Sequence, residues 1–253
     1  MVSGGFLLSV WQPLPFIVAA AFVGIVTFEI AGVLARHRQQ KIKRSAESFQ
    51  QTIYLLWQTV KEKPDIRRMV IANACWNATL QSIQAFVVLY FVHGLGRSHS
   101  FVSGIIFPVA AIGLFVMAPL VGKLADRFGY VRVLTLAATI YGAGVSIPAF
   151  THSSIVIFVI PIVSAAATTA MILPYALFMR MLGNERHGAM SGLFGFSRGL
   201  GSFLGPLLCG IAITLAKPWF GSTNGYAAYW LVAGLLTLLS LFFIMRVREP
   251  QLG

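Results

Sequence analysis

Charge is what this sequence lacks. Of 253 residues only 7 are Asp or Glu, and charged residues of both signs make up 10%, where a soluble domain carries about 25%. So little charge cannot cover a water-facing surface, which excludes a soluble globular protein. Cysteine is scarce too: Cys75 and Cys209 both sit within apolar runs, excluding a disulfide framework and a cysteine metal cluster. His37, His93, His99, His152 and His187 are scattered, with no Ser/His/Asp or metal-ligand grouping around them, and no Gly-rich phosphate loop occurs. An enzyme, a resident metal or cofactor, and ATP drive are therefore not expected. What abounds is apolar: 57% of the chain is hydrophobic, with 20 Phe and 24 Gly.

The apolar residues fall into seven runs, at 14–34, 69–93, 101–121, 131–150, 155–179, 189–215 and 226–245. A hydrocarbon core about 30 Å thick takes roughly 20 helical residues to cross, and each run meets that length. All are longer than the roughly 10-residue strands of a membrane barrel. The fold class expected is an all-α integral membrane protein with seven transmembrane helices. Trp11, Tyr90, Trp219, Tyr226, Tyr229 and Trp230 lie near run ends and predict an interfacial aromatic belt.

Lys and Arg set the orientation. Sixteen of the 19 fall in loops on one side; only Arg97 and Lys217 fall on the other, and Arg198 lies within a run. Basic loops stay in the cytoplasm, so the N-terminus is expected outside and the C-terminus inside, in a plasma (inner) membrane. That asymmetry accounts for the net charge of +12 and leaves a lipid bilayer, not nucleic acid, as the partner. The first run is not read as a cleaved signal, because it is long and its basic cluster follows it.

Three segments result: a single helix at 1–34, a basic linker at 35–68 and a six-helix bundle at 69–253. In the linker Phe49, Ile53, Leu56, Trp57 and Val60 share one helical face. That amphipathic helix either lies in the membrane interface or packs beneath the bundle, and Lys63-Pro64 ends it.

The segment 122–132 carries the most specific pattern. Gly122 and Gly129 bracket a tight cytoplasmic turn with Leu124, Asp126 and Arg127, and Arg132 follows. The glycines allow close backbone approach or positive φ, and Asp126 is placed to cap the next helix. Arg127 and Arg132 are free to pair with carboxylates or helix-end carbonyls. Such a turn can latch helix bundles together on the cytoplasmic side; the plainer alternative is a short loop bearing topogenic charge. The pattern resembles the G-x-L-x-D-R-x-G-R-R loop signature of major facilitator superfamily transporters, matched at Gly122, Leu124, Asp126, Arg127 and Gly129. Tyr130 and Val131 depart from the paired cations.

The resemblance implies that the seven runs correspond to helices 6–12 of a twelve-helix transporter, with 35–68 as its central loop. It implies a substrate path along the second and fifth runs. The second carries an amide stripe, Asn73, Asn77, Gln81 and Gln84, which by itself reads either as glue between helices or as the wall of a wet cavity. The fifth carries Ser164, Thr168, Thr169 and Tyr175, with Pro161 and Pro174 expected to interrupt the helix. In the sixth run Gly188/Gly192, Gly195/Gly199 and Gly201/Gly205 predict close helix contacts, and Gly205-Pro206 a bend. Arg198 requires a partner or a route to the surface.

Glu29 is the one carboxylate within a run and is expected to pair with Arg36 or a neighbouring cation. An amide wall without fixed charge suggests a neutral solute, a sugar or a drug-like compound, moved by alternating access. A missing N-terminal half, supplied in cis or in trans, is the implied partner, and a split product inactive alone is the competing reading. A seven-helix receptor is disfavoured by the position of the long loop and by a last run without N-P-x-x-Y.

Overall fold

A computed structural model describes residues 58, 60–151, 155–182 and 187–248. The expected first span, Glu29 and most of the linker lie outside the described residues. The chain divides into two units, Met1–Phe49 and Gln50–Gly253, and the second holds everything described here. Its helices are α1 (Pro64–Leu89), α2 (Phe107–Met117), α3 (Val121–Phe128), α4 (Tyr130–Ser146), α5 (Ile155–Leu182), α6 (His187–Ala216) and α7 (Ala227–Ile244).

Six stretches among the described residues are long and apolar enough to cross a membrane: Pro64–Gly94, His99–Met117, Tyr130–Ala149, Val156–Met181, Met190–Ala216 and Ala227–Ile244. They coincide with the last six apolar runs. The first begins five residues earlier than the hydropathy suggests, because Lys63 is extended and Pro64 takes the first helical turn, where a missing N–H is harmless. Ahead of α2 the chain widens into a π turn at Val102–Ile106, just before Pro108, whose ring crowds the carbonyl one turn back.

α1 is the axis of the bundle. It packs chiefly against α6 and α7; α7 also packs on α4, and α5 joins α4 to α2. Ile66, Met69, Ala72 and Trp76 of α1 are all buried, recurring at the spacing of one helical face. Polar contacts between helices are few and placed where side chains can satisfy backbone. Thr79 donates to the Ala233 carbonyl at 2.7 Å and receives Thr237 at 2.8 Å, tying α1 to α7. Hydrogen bonds of this kind contribute about 1 kcal/mol in membrane helices. Thr79→Val is therefore expected to lower the melting temperature by a few degrees, which scanning calorimetry of the detergent-solubilised chain measures.

Two expectations are corrected. Pro161 and Pro174 do not interrupt the fifth span: α5 runs through both, as α6 runs through Pro206. Packing on neighbouring helices holds proline-containing membrane helices together where an isolated helix would break. Ser164, one turn past Pro161, donates to its carbonyl at 3.0 Å. The aromatic belt is only partly present. Tyr90, Tyr229 and Trp230 are buried inside the bundle, with Trp230 edge-on to Tyr90 at 5.4 Å and stacked near Tyr229 at 4.4 Å. Trp219 remains exposed.

Candidate functional site

The turn after the third apolar run is a short helix, α3, closed by Gly129 at φ 91°, ψ 142°. That backbone is open to glycine and strained for any side chain, so Gly129 does what its place in the pattern demanded. Gly122 does not: a side chain there would meet open space. Asp126 does not cap α4 either, whose N-cap is Gly129 with no side-chain bond. One helical turn before Tyr130, its carboxylate sits beside the phenol, accepting from Tyr130 Oη at 2.9 Å, and it faces Arg180 Nη2 at 3.5 Å. The Arg180 guanidinium lies over the Tyr130 ring, 4.0 Å from its centre.

Asp126, Tyr130 and Arg180 thus join α3, α4 and α5 at one end of the bundle. Sequence reasoning counted Arg180 only as a topogenic charge, since its partner is 54 residues away. With Asp126 64% exposed, the ion pair itself adds at most about 1 kcal/mol. It fixes position more than it stabilises. Arg127 lies 5.3 Å over the Phe128 ring. Leu124 and Arg132 line an apolar groove of about 700 Å³ between α2, α4 and α5.

The amide stripe divides. Asn73 and Asn77 are buried between helices. Asn73 Nδ2 donates to Ser197 Oγ of α6 at 2.7 Å, and Asn77 Nδ2 to the Asn73 carbonyl at 2.9 Å. Gln81 is half-buried and Gln84 exposed, and neither has a hydrogen-bond partner among the described residues. Of the four, only Asn73 bonds to α6, through Ser197. Thr168 is buried and donates to the Ser164 carbonyl at 2.7 Å, so its hydroxyl is engaged within its own helix. Tyr175 is 44% exposed, edge-on to Phe194 of α6 at 5.4 Å. Arg198, on the next turn of α6, is exposed as well.

Of the expected glycine contacts, one pair is made. A Cβ at Gly201 would overlap the Ala74 carbonyl oxygen, and one at Gly205 that of Ala78, whereas Gly192, Gly195 and Gly199 face open space. Gly201 and Gly205 are what lets α6 lie against α1, next to the half-buried Pro206.

A simple comparison separates glue from path. Asn73→Leu is expected to lower the melting temperature by several degrees, since it removes the bond to Ser197. Gln84→Leu should leave melting within about 1 °C, because an exposed substitution seldom exceeds 0.5 kcal/mol.

Comparison with known proteins places the chain. The family model described as Major Facilitator Superfamily matches residues 1–206 and, overlapping, 111–253. An uncharacterised MFS-type transporter of Bacillus subtilis, YfiU, is 26% identical over 147 residues, which cover 55% of this chain and 27% of that protein. The multidrug resistance protein MdtG of Escherichia fergusonii is 28% identical over 180 residues, covering 67% of this chain and 41% of that one. The chain therefore spans well under half the length of these curated relatives.

Proposed function

The chain belongs to the Major Facilitator Superfamily, and from that premise we propose that it supplies part of a secondary transporter moving a small neutral solute by alternating access. The observation that carries the reading is the exposure of Gln84 on α1 and of Tyr175 on α5, with Gln81 half-buried, on helices otherwise rich in apolar side chains. Gln84 and Tyr175 stand exposed, ready to meet a solute across a cavity shared with a second bundle. The solute class follows from these side chains, whose amides and phenol hydrogen-bond hydroxyls or carbonyls and carry no charge of their own. A drug-like neutral compound fits this wall and agrees with the multidrug resistance named for one relative; a sugar is the second candidate.

In this account Asp126, Tyr130 and Arg180 form the cytoplasmic latch, with the N-terminus outside and the C-terminus inside a plasma (inner) membrane. The segment 1–34 acts as one helix of a first half, 35–68 as the link, and 69–253 as the second bundle. The remaining helices of the first half join in cis or in trans, in keeping with relatives much longer than the matched stretch.

The test is flux. The chain is produced with and without a co-expressed five-helix partner segment from a full-length relative, and inverted vesicles are assayed for uptake of a neutral dye, N-phenyl-1-naphthylamine, and of glucose. Gradient-dependent uptake of one of them, only with the partner present, is expected. A correctly inserted pair that moves neither contradicts the reading.

A further inference from the structure

A second, partly open cavity of about 220 Å³ lies between α1, α2, α4, α5 and α7. Its walls are almost wholly apolar: Leu80, Val87, Ile106, Val159 and Val163 are representative. Two lining residues break the pattern. Tyr141 is 1% exposed and Trp230 7%, and among the described residues neither the Tyr141 hydroxyl nor the Trp230 Nε1–H has a hydrogen-bond partner. Burying a donor without an acceptor is costly, and here the two residues that carry such groups, from α4 and α7, line the same space. The Trp230 ring is held in place by what surrounds it: it packs against Tyr90 and Tyr229, and Tyr90 is anchored to the Pro148 carbonyl at 2.9 Å.

The chemistry of the lining specifies a guest. An indole N–H can only donate, and a phenol can donate too, so the guest must bring an acceptor oxygen. No lining residue except these two and Ser164 carries a side-chain polar atom, and none is charged, so a charged guest would be left unpaired in an apolar space. Ser164 already donates its hydroxyl to the Pro161 carbonyl. The volume lies below the roughly 300–1,000 Å³ of drug-sized pockets, which limits the guest to about one ring with a few further carbons.

We propose that this cavity binds a small, neutral, lipophilic molecule carrying one carbonyl, ether or hydroxyl oxygen, which receives hydrogen bonds from Tyr141 Oη and Trp230 Nε1. The site is separate from Gln81, Gln84 and Tyr175, none of which lines it, and it does not depend on the transport reading. Such a molecule partitions into the bilayer first and reaches the bundle from there.

The experiment uses the full chain in nanodiscs, labelled with 5-fluorotryptophan and followed by fluorine NMR, the Trp230 signal being assigned through Trp230→Phe. Acetophenone is the probe, and α-methylstyrene, which puts a CH₂ in place of the carbonyl oxygen, is its isosteric control. Acetophenone should shift the Trp230 signal saturably while the exposed Trp219 drifts only in proportion to concentration. The styrene should bind at least about fivefold more weakly. Tyr141→Phe should weaken acetophenone by a similar factor and leave the styrene unchanged; Ala167→Leu, which fills the cavity from α5, should abolish the saturable shift with the parent's melting temperature retained. Equal affinity for the two probes, a Trp230 shift that merely tracks partitioning like that of Trp219, or saturable binding that survives Ala167→Leu would each overturn the proposal.

Discussion

Gly205→Leu is expected to abolish recovery of the chain as folded, monodisperse protein. The carbonyl of Ala78 occupies the space where even a Cβ would go, so the backbones of α1 and α6 must separate along their largest mutual contact. Overpacking of this sort costs about 3 kcal/mol or more, a large share of any domain's stability. Gly205→Ala should show the same effect in milder form, with a melting temperature lowered by several degrees. The control lies on the same helix. Gly195 faces open space, so Gly195→Ala should be neutral or raise stability by up to about 1 kcal/mol, since Ala is the better helix former. If Gly205→Ala and Gly195→Ala melt alike, the α1–α6 contact is not as close as described.

Asp126→Asn should separate function from stability. The carboxylate is mostly exposed and its ion pair is worth at most about 1 kcal/mol, so insertion, yield and melting should barely change. Flux through the assembled transporter should nonetheless fall by about fivefold, the consequence of roughly 1 kcal/mol of altered balance between two end states. Arg180→Lys tests the other partner. Lysine keeps the charge but loses the planar face that lies over Tyr130, so an intermediate loss is expected. Normal flux in Asp126→Asn would leave the turn as a loop with topogenic charge.

The contrast between these two predictions shows what a linear chain reveals. Hydropathy was enough for the six described spans, because crossing a bilayer is a local demand on some 20 consecutive residues. The glycine pattern named Gly201 and Gly205 correctly, yet it named Gly192, Gly195 and Gly199 equally. Spacing marks a face of a helix but not whether another helix covers it. The amide stripe divided for the same reason, Asn73 bonding to Ser197 of α6 and Asn77 buried beside it while Gln84 stands exposed. Arg180 could not be paired with Asp126 from sequence, since α4 and most of α5 separate them. Pro161 and Pro174 misled because a proline in sequence does not tell whether neighbouring helices hold its turn together.

The most direct test of the transport account is the accessibility of residue 84 in the assembled transporter. Gln84→Cys is placed in a Cys75→Ala, Cys209→Ala background, both native thiols being buried, and labelled with a membrane-impermeant maleimide from one side of sealed vesicles or the other. Alternating access predicts that the reagent reaches residue 84 from both sides, and that transported solute slows labelling from each. Labelling from neither side, or from one side only whatever the solute, would contradict a path along this face.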